Sequence, residues 1–131
     1  MLNKFRQLLK SIFKPTDPQV FSLSLFEETR PEISISVTIA IRSDGSLEVA
    51  GKDYGPLVNE LQGKMDYEYF LLVSPGSKNE LKEKLQTEGY SVETDNALLR
   101  WFQQHYSKNA AFSEIVSLLE KMQVKHEVSI W

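Results

Sequence analysis

Glu32-Ile33-Ser34-Ile35-Ser36-Val37-Thr38-Ile39-Ala40-Ile41-Arg42, followed by Ser43-Asp44-Gly45-Ser46 and then Leu47-Glu48-Val49-Ala50-Gly51, is the stretch that decides the fold. Successive side chains of a strand point to opposite faces, so Ile33, Ile35, Val37, Ile39 and Ile41 line one side. Ser34, Ser36, Thr38 and Ala40 line the other, which predicts a half-buried strand with small residues on its second face. Gly45 supplies the left-handed position of the following turn. Leu47, Val49 and Gly51 continue the alternation into a return strand, so the stretch reads as a β-hairpin.

Working outward, Val20 to Leu25 alternates around Phe21, Leu23 and Leu25 and predicts an earlier strand. After the hairpin, Gly55-Pro56 opens a short helix over Leu57 to Leu61, with proline in the first turn, and Gly63 closes it. Asp66 to Ser74 contains Tyr67-Glu68-Tyr69-Phe70-Leu71-Leu72-Val73. That run is too apolar on both faces for a surface edge and predicts a central strand. Its periodicity sets Asp66, Glu68 and Phe70 on one side and Tyr67, Tyr69 and Leu71 on the other. Ser77-Lys78-Asn79-Glu80 has the form of a capping box, starting a helix through Leu81, Leu85 and Glu88 that stops at Gly89. A second helix begins at Thr94 or Asp95 and carries Leu98, Leu99, Phe102 and Tyr106. Asn109 caps a third, with Phe112, Ile115, Val116, Leu119 and Met122 inward. Lys125 to Trp131 alternates His126, Val128 and Ile130 against Lys125, Glu127 and Ser129, predicting a last strand.

Strands grouped early and helices grouped late indicate an α+β fold: an antiparallel sheet of four to five strands with helices mainly on one face. The 131 residues suffice for one domain with its own core, placed here at residues 15–131. Met1 to Lys14 forms a separate amphipathic basic helix, with Leu2, Phe5, Leu8, Leu9, Ile12 and Phe13 spaced by three and four. It has neither the continuous apolar run nor the cleavage site of a signal peptide. Its apolar face can dock on the domain's own sheet, on a neighbouring chain or loosely on a membrane surface. Pro15 and Pro18 end it.

The net charge of −3 conceals an asymmetry. Residues 1–14 hold Lys4, Arg6, Lys10 and Lys14 and no acid; the remainder sets 11 bases against 18 acids, a balance of −7. An acidic body argues against direct binding of a nucleic-acid backbone and suits a basic protein partner, although solubility alone also explains it. The absence of cysteine excludes disulfides, thiolate metal sites and cysteine nucleophiles, and is compatible with the cytoplasm. No apolar run approaches the ~20 residues that span a bilayer.

Convergent chemistry is hard to find. His105 and His126 form no ligand pair of known spacing, and no phosphate-cradling loop or nucleophile elbow occurs. Asp44, Glu48, Asp53, Glu60, Asp66 and Glu68 cluster in sequence but miss the calcium-loop pattern. No catalytic residue, metal ligand or cofactor is therefore expected. A glutamate inside so apolar a strand needs a reason, since an unpaired buried carboxylate is costly. Either Glu68 pairs with a base such as Arg42 or Arg100, or it faces solvent on a functional surface.

From about Ile39 onward the chain resembles small bacterial α+β proteins of the immunity type. The matching residues are Ser43-Asp44-Gly45-Ser46-Leu47, Gly51-Lys52-Asp53-Tyr54-Gly55-Pro56, Gly63 and Asp66-Tyr67-Glu68-Tyr69. They continue with the helix opening at Ser77 to Glu80, Leu98-Leu99, and the terminal strand ending in Trp131. The resemblance implies a cytoplasmic, non-enzymatic inhibitor of the contact-dependent growth inhibition kind, which binds a cognate toxin domain, a basic nuclease, and occludes its active site. Asp44, Asp53, Tyr54, Asp66 and Glu68 are then the partner-binding candidates, although Asp44 has an alternative role in holding its turn. The rival reading is a regulatory or adaptor protein that uses Leu2 to Phe13 on a membrane or partner groove. The remaining enzyme reading is a hydrolase using Asp66 and Glu68 with His126.

Overall fold

A computed structural model describes residues 22–131; the predicted amino-terminal helix, its terminating prolines and the start of the first strand lie outside the described residues. The sheet is formed by β1 (Ser22–Arg30), β2 (Ile33–Ile41), β3 (Leu47–Tyr54), β4 (Asp66–Val73) and β5 (Glu127–Ile130). They are hydrogen-bonded in that order, and every pairing is antiparallel. The helices are α1 (Pro56–Gln62) between β3 and β4, then α2 (Pro75–Thr87), α3 (Asp95–His105) and α4 (Ala111–Lys121) in succession before β5. The α+β class and the five-stranded antiparallel sheet follow.

The hairpin forms where its alternation requires. Val37, Ile39, Leu47 and Val49 are fully buried, and Gly45 takes φ 89° between them. Leu71 and Val73 of β4 continue the same layer. Against it pack Leu81 and Leu85 of α2, Leu98, Leu99 and Phe102 of α3, and Ala111, Ile115 and Leu119 of α4, in one core cluster. Truncating such a residue, Phe102→Ala for example, costs about 3–5 kcal/mol because transfer and cavity losses add. The helices α2, α3 and α4 therefore cover one face of the sheet.

Several local expectations change. The first strand runs on past Leu25 to Arg30, because a β-bulge lies between Ser24 and Phe26. The extra residue lets Leu25 and the adjacent Phe26 both turn to the core, which breaks the simple two-residue period. Helix α2 is capped by Ser74, whose Oγ accepts from the Ser77 backbone N–H at 3.3 Å, so Ser77 to Glu80 is the helix's interior and not its capping box. Pro75 explains the shift: it lacks the amide hydrogen and suits the first helical position. The residue before α4 is Ala110, without a side-chain cap, in place of Asn109. Thr94 does cap α3, accepting from the Ala97 N–H at 3.1 Å.

One buried cation ties the helices to the hairpin. Lys78 is only 5% exposed; its Nζ donates to the Gly45 carbonyl at 2.7 Å and pairs with Asp95 Oδ1 at 2.9 Å. Lys82 reaches the same carboxylate oxygen at 2.6 Å. This group joins the β2–β3 turn, α2 and the first turn of α3. Helix α1 is anchored differently: the Leu57 N–H donates to the Glu32 carbonyl, and Gly55 adopts φ 134° with that carbonyl only 2.6 Å from where a Cβ would stand.

Candidate protein-binding surface

The sheet's second face points away from α2, α3 and α4, and its composition follows from the strand registers. Glu27, Ser36, Lys52 and Glu68 are successive cross-strand partners across β1 to β4. Two backbone hydrogen bonds join Glu68 to Trp131 just beyond β5, at 2.7 and 3.1 Å. One row toward the β1–β2 turn lie Thr29, Ser34, Tyr54 and Asp66; on the other side lie Ser24, Thr38, Ala50, Phe70 and Ser129. Cross-strand partners share a face, so these rows are one surface. At its centre is a shallow hollow lined by Ser36, Thr38, Ala50, Lys52, Glu68 and Phe70.

Of the five candidate residues, Tyr54, Asp66 and Glu68 come together here. Tyr54 is 50% exposed and Asp66 is its direct cross-strand neighbour. The base facing Glu68 is Lys52, at 3.8 Å, and neither Arg42 nor Arg100. Both side chains are substantially exposed, so the pair contributes under about 1 kcal/mol and leaves the carboxylate available. The Lys52 ammonium also lies 5.9 Å from the centre of the Tyr54 ring.

The other two candidates lie elsewhere. Asp44 sits in the β2–β3 turn, at the opposite end of the sheet from Tyr54 and Asp66. Its Oδ1 accepts the Ser46 N–H at 2.9 Å. Partial burial opposes ionisation there, but the Ser46 hydrogen bonds and the Arg42 charge outweigh it and hold the carboxyl below its ordinary range. Asp53 points to the helix-bearing side, where it accepts from the Tyr69 hydroxyl at 3.3 Å. Burial pushes the Asp53 carboxyl up despite that bond. Burial and the Asp53 charge together push Tyr69 up to about 12. Alternation along β3 separates Asp53 from its neighbours Lys52 and Tyr54.

Lys52, Glu27 and Trp131 complete the surface but were not singled out from sequence, whereas Phe70 lies where the β4 periodicity sets it, on the side of Asp66 and Glu68. Lys52 was within reach, because the hairpin register already sets it opposite Ser36. Trp131 was not, since three helices intervene before β5 returns to β4.

The proposed hydrolase constellation is not assembled. His126 immediately precedes β5 at the end where Glu127 faces Leu72, whereas Glu68 lies at the opposite end of the β4–β5 ladder. The His126 Nδ1 bonds the Val124 carbonyl at 2.8 Å. His105 likewise bonds the Trp101 carbonyl and stacks on the Trp101 ring. Among the described residues no group of three or more histidine, aspartate or glutamate side chains could hold a metal ion, and no helix is long and apolar enough to cross a membrane. Comparison of the chain with family models, with curated proteins and with solved structures returned no match.

Proposed function

We propose that this chain is a cytoplasmic, non-enzymatic immunity protein that neutralises a cognate toxin domain, a basic nuclease, by seating the acidic sheet face over its active site. The observation that carries the reading is the juxtaposition of Tyr54, Asp66 and Glu68 on the face turned away from the helices. An acidic surface accelerates encounter with a basic cleft and imitates the charge of its phosphate substrate. Tyr54 and the 68%-exposed Trp131 are large amphipathic rings of the kind that dominate binding energy once desolvated. Glu27 and Glu68 flank Lys52, so the middle row keeps a net negative charge.

The test is recovery of the tagged full-length protein from its native cell at low and high salt, with mass spectrometry of bound proteins and assay of the recovered partner's nuclease activity. The expected result is a basic domain in near one-to-one amount, inhibited while bound, and released by salt and by Asp66→Lys/Glu68→Lys. Recovery of lipid or of this chain alone overturns the reading.

A further inference from the structure

We propose that the outer edge of β5 pairs with the same edge of a second copy of this chain, joining two sheets into one continuous antiparallel sheet about a two-fold axis at Val128. The β4–β5 ladder fixes which backbone groups are free. Glu68 and Trp131 exchange both of their backbone hydrogen bonds. Bonded pairs alternate along an antiparallel ladder, so Phe70 with Ser129 and Leu72 with Glu127 are bonded likewise. The N–H and C=O groups of Val128 and Ile130 therefore point away from β4, and among the described residues no strand pairs with that side. The side chains of Val128 and Ile130 share the helical side with their partners Leu71 and Tyr69. The helical layer nevertheless leaves them open, at 46% and 60% exposed: α4 meets β4, where Phe112 rests on the Tyr69 ring, one strand in from the edge.

The sheet's other edge is built differently. β1 carries Glu27, Glu28 and Arg30, is broken by the bulge between Ser24 and Phe26, and has its Ser24 carbonyl bonded by the Gln103 side chain at 3.2 Å. Charge, a bulge and a covering side chain are the devices that keep an edge from recruiting another strand. β5 has open backbone groups beside exposed valine and isoleucine instead, the combination that does recruit one.

A second copy fits because the strand is complementary to itself. With Val128 opposite Val128 of the other copy and the strand extended back by two residues, Ile130 comes opposite His126, and the free backbone groups of each copy meet those of the other. On the helical side the valines and isoleucines bury one another. On the open side Glu127 comes opposite Ser129 and the Lys125 ammonium opposite the exposed Trp131 ring, an attractive pairing of cation and aromatic face. Shifting the axis to Glu127 sets like charges directly opposite, which is unfavourable. Shifting it to Ser129 leaves His126 unpaired and Lys125 without the ring. So short an interface lies at the low end of size for specific complexes, and the dimer is reversible. The pairing does not rest on the inhibitor reading, since it leaves Tyr54, Asp66 and Glu68 on the open face.

Sedimentation of the full-length protein from micromolar to millimolar concentration tests this, with a rise from the 15.1 kDa monomer toward twice that mass expected. Val128→Pro removes an outward N–H and leaves the bonds to β4 in place, so it should weaken association by about tenfold or more while circular dichroism shows the fold intact. Val128→Lys, which sets two ammonium groups face to face on the axis, should do the same. The chain has no cysteine, so introduced thiols report the register without background. Val128→Cys should oxidise to a linked dimer, since residues opposed in a bonded pair have Cα atoms about 5.5 Å apart, within disulfide reach. Ile130→Cys alone should link about tenfold more slowly or less, because its two copies lie about 13 Å apart along the strands, whereas a mixture of His126→Cys and Ile130→Cys should link to each other. A protein that stays monomeric throughout, its edge taken by another segment of the chain or kept for a different protein, overturns the proposal. So does a dimer indifferent to both Val128→Pro and Val128→Lys, or Ile130→Cys linking as fast as Val128→Cys. No toxin is present in the assay, so failure here leaves the inhibitor reading standing.

Discussion

The ring of Tyr69 fills the space that a side chain on its cross-strand partner Gly51 would occupy. A Cβ on Gly51 would stand 1.8 Å from Tyr69 Cε2 and 2.2 Å from Cζ. The ring cannot swing away freely, because its hydroxyl bonds Asp53 and its edge meets Phe112 of α4 at a centroid distance of 4.7 Å. Gly51→Ala should therefore destabilise the protein by about 1–3 kcal/mol, the range for overpacking. Tyr69→Ala in the same chain should recover part of that loss in a double-mutant cycle read by urea unfolding, because it empties the contested space.

Lys78 and Asp95 make a second prediction through pH. Burial opposes ionisation of Asp95, but the Lys82 and Lys78 hydrogen bonds and charges win and hold its carboxyl below the ordinary 3.8. A depressed native value means that the unfolded chain binds the proton more tightly. The stabilisation is thus present above about pH 4 and is lost as pH falls through the native value. Asp95→Asn should flatten the acid limb of a stability–pH curve measured by chemical denaturation. Lys78→Met, which leaves the Gly45 carbonyl without its donor, should cost about 1–3 kcal/mol at neutral pH.

Asp53 has the opposite sign. Burial raises its native value above 3.8 and the Tyr69 hydroxyl only partly offsets this. The native state therefore binds the proton more tightly, and stability declines as pH rises from the unfolded value through the native one. Asp53→Asn should be neutral or stabilising at pH 7 by denaturant unfolding, and should remove that decline. A large loss of stability at pH 7 would contradict this account.

The capping assignment at α2 separates two serines three residues apart. Ser74→Ala removes the oxygen that accepts the Ser77 N–H and should cost about 1 kcal/mol. Ser77→Ala changes a residue inside the first turn and should stay within about 0.5 kcal/mol of the parent, since it removes no cap. Paired thermal melts distinguish the two.

The sequence by itself determined what depends on period and local backbone geometry. The isoleucine alternation of β2, the glycine turn at Gly45, the proline-led α1 and the placement of Glu68 opposite Tyr69 across the β4 strand were all legible, because a pleated strand and a helical turn impose their repeats on any chain. Local interruptions account for the differences: the bulge at Leu25 shifts the alternation of β1 beyond the point where its predicted strand ends, although Leu23 and Leu25 face the core as their spacing requires, and Pro75 moves the start of α2. The tertiary structure alone decided which residues became neighbours. Lys52 meets Glu68 through the register of β3 on β4, Trp131 arrives beside them after three helices, and Asp53 is turned from Tyr54 to the helical side. Such pairings join residues far apart in sequence, where no local propensity acts; they are fixed by burial of the apolar face against α2, α3 and α4, which leaves the other face to carry Tyr54, Asp66 and Glu68.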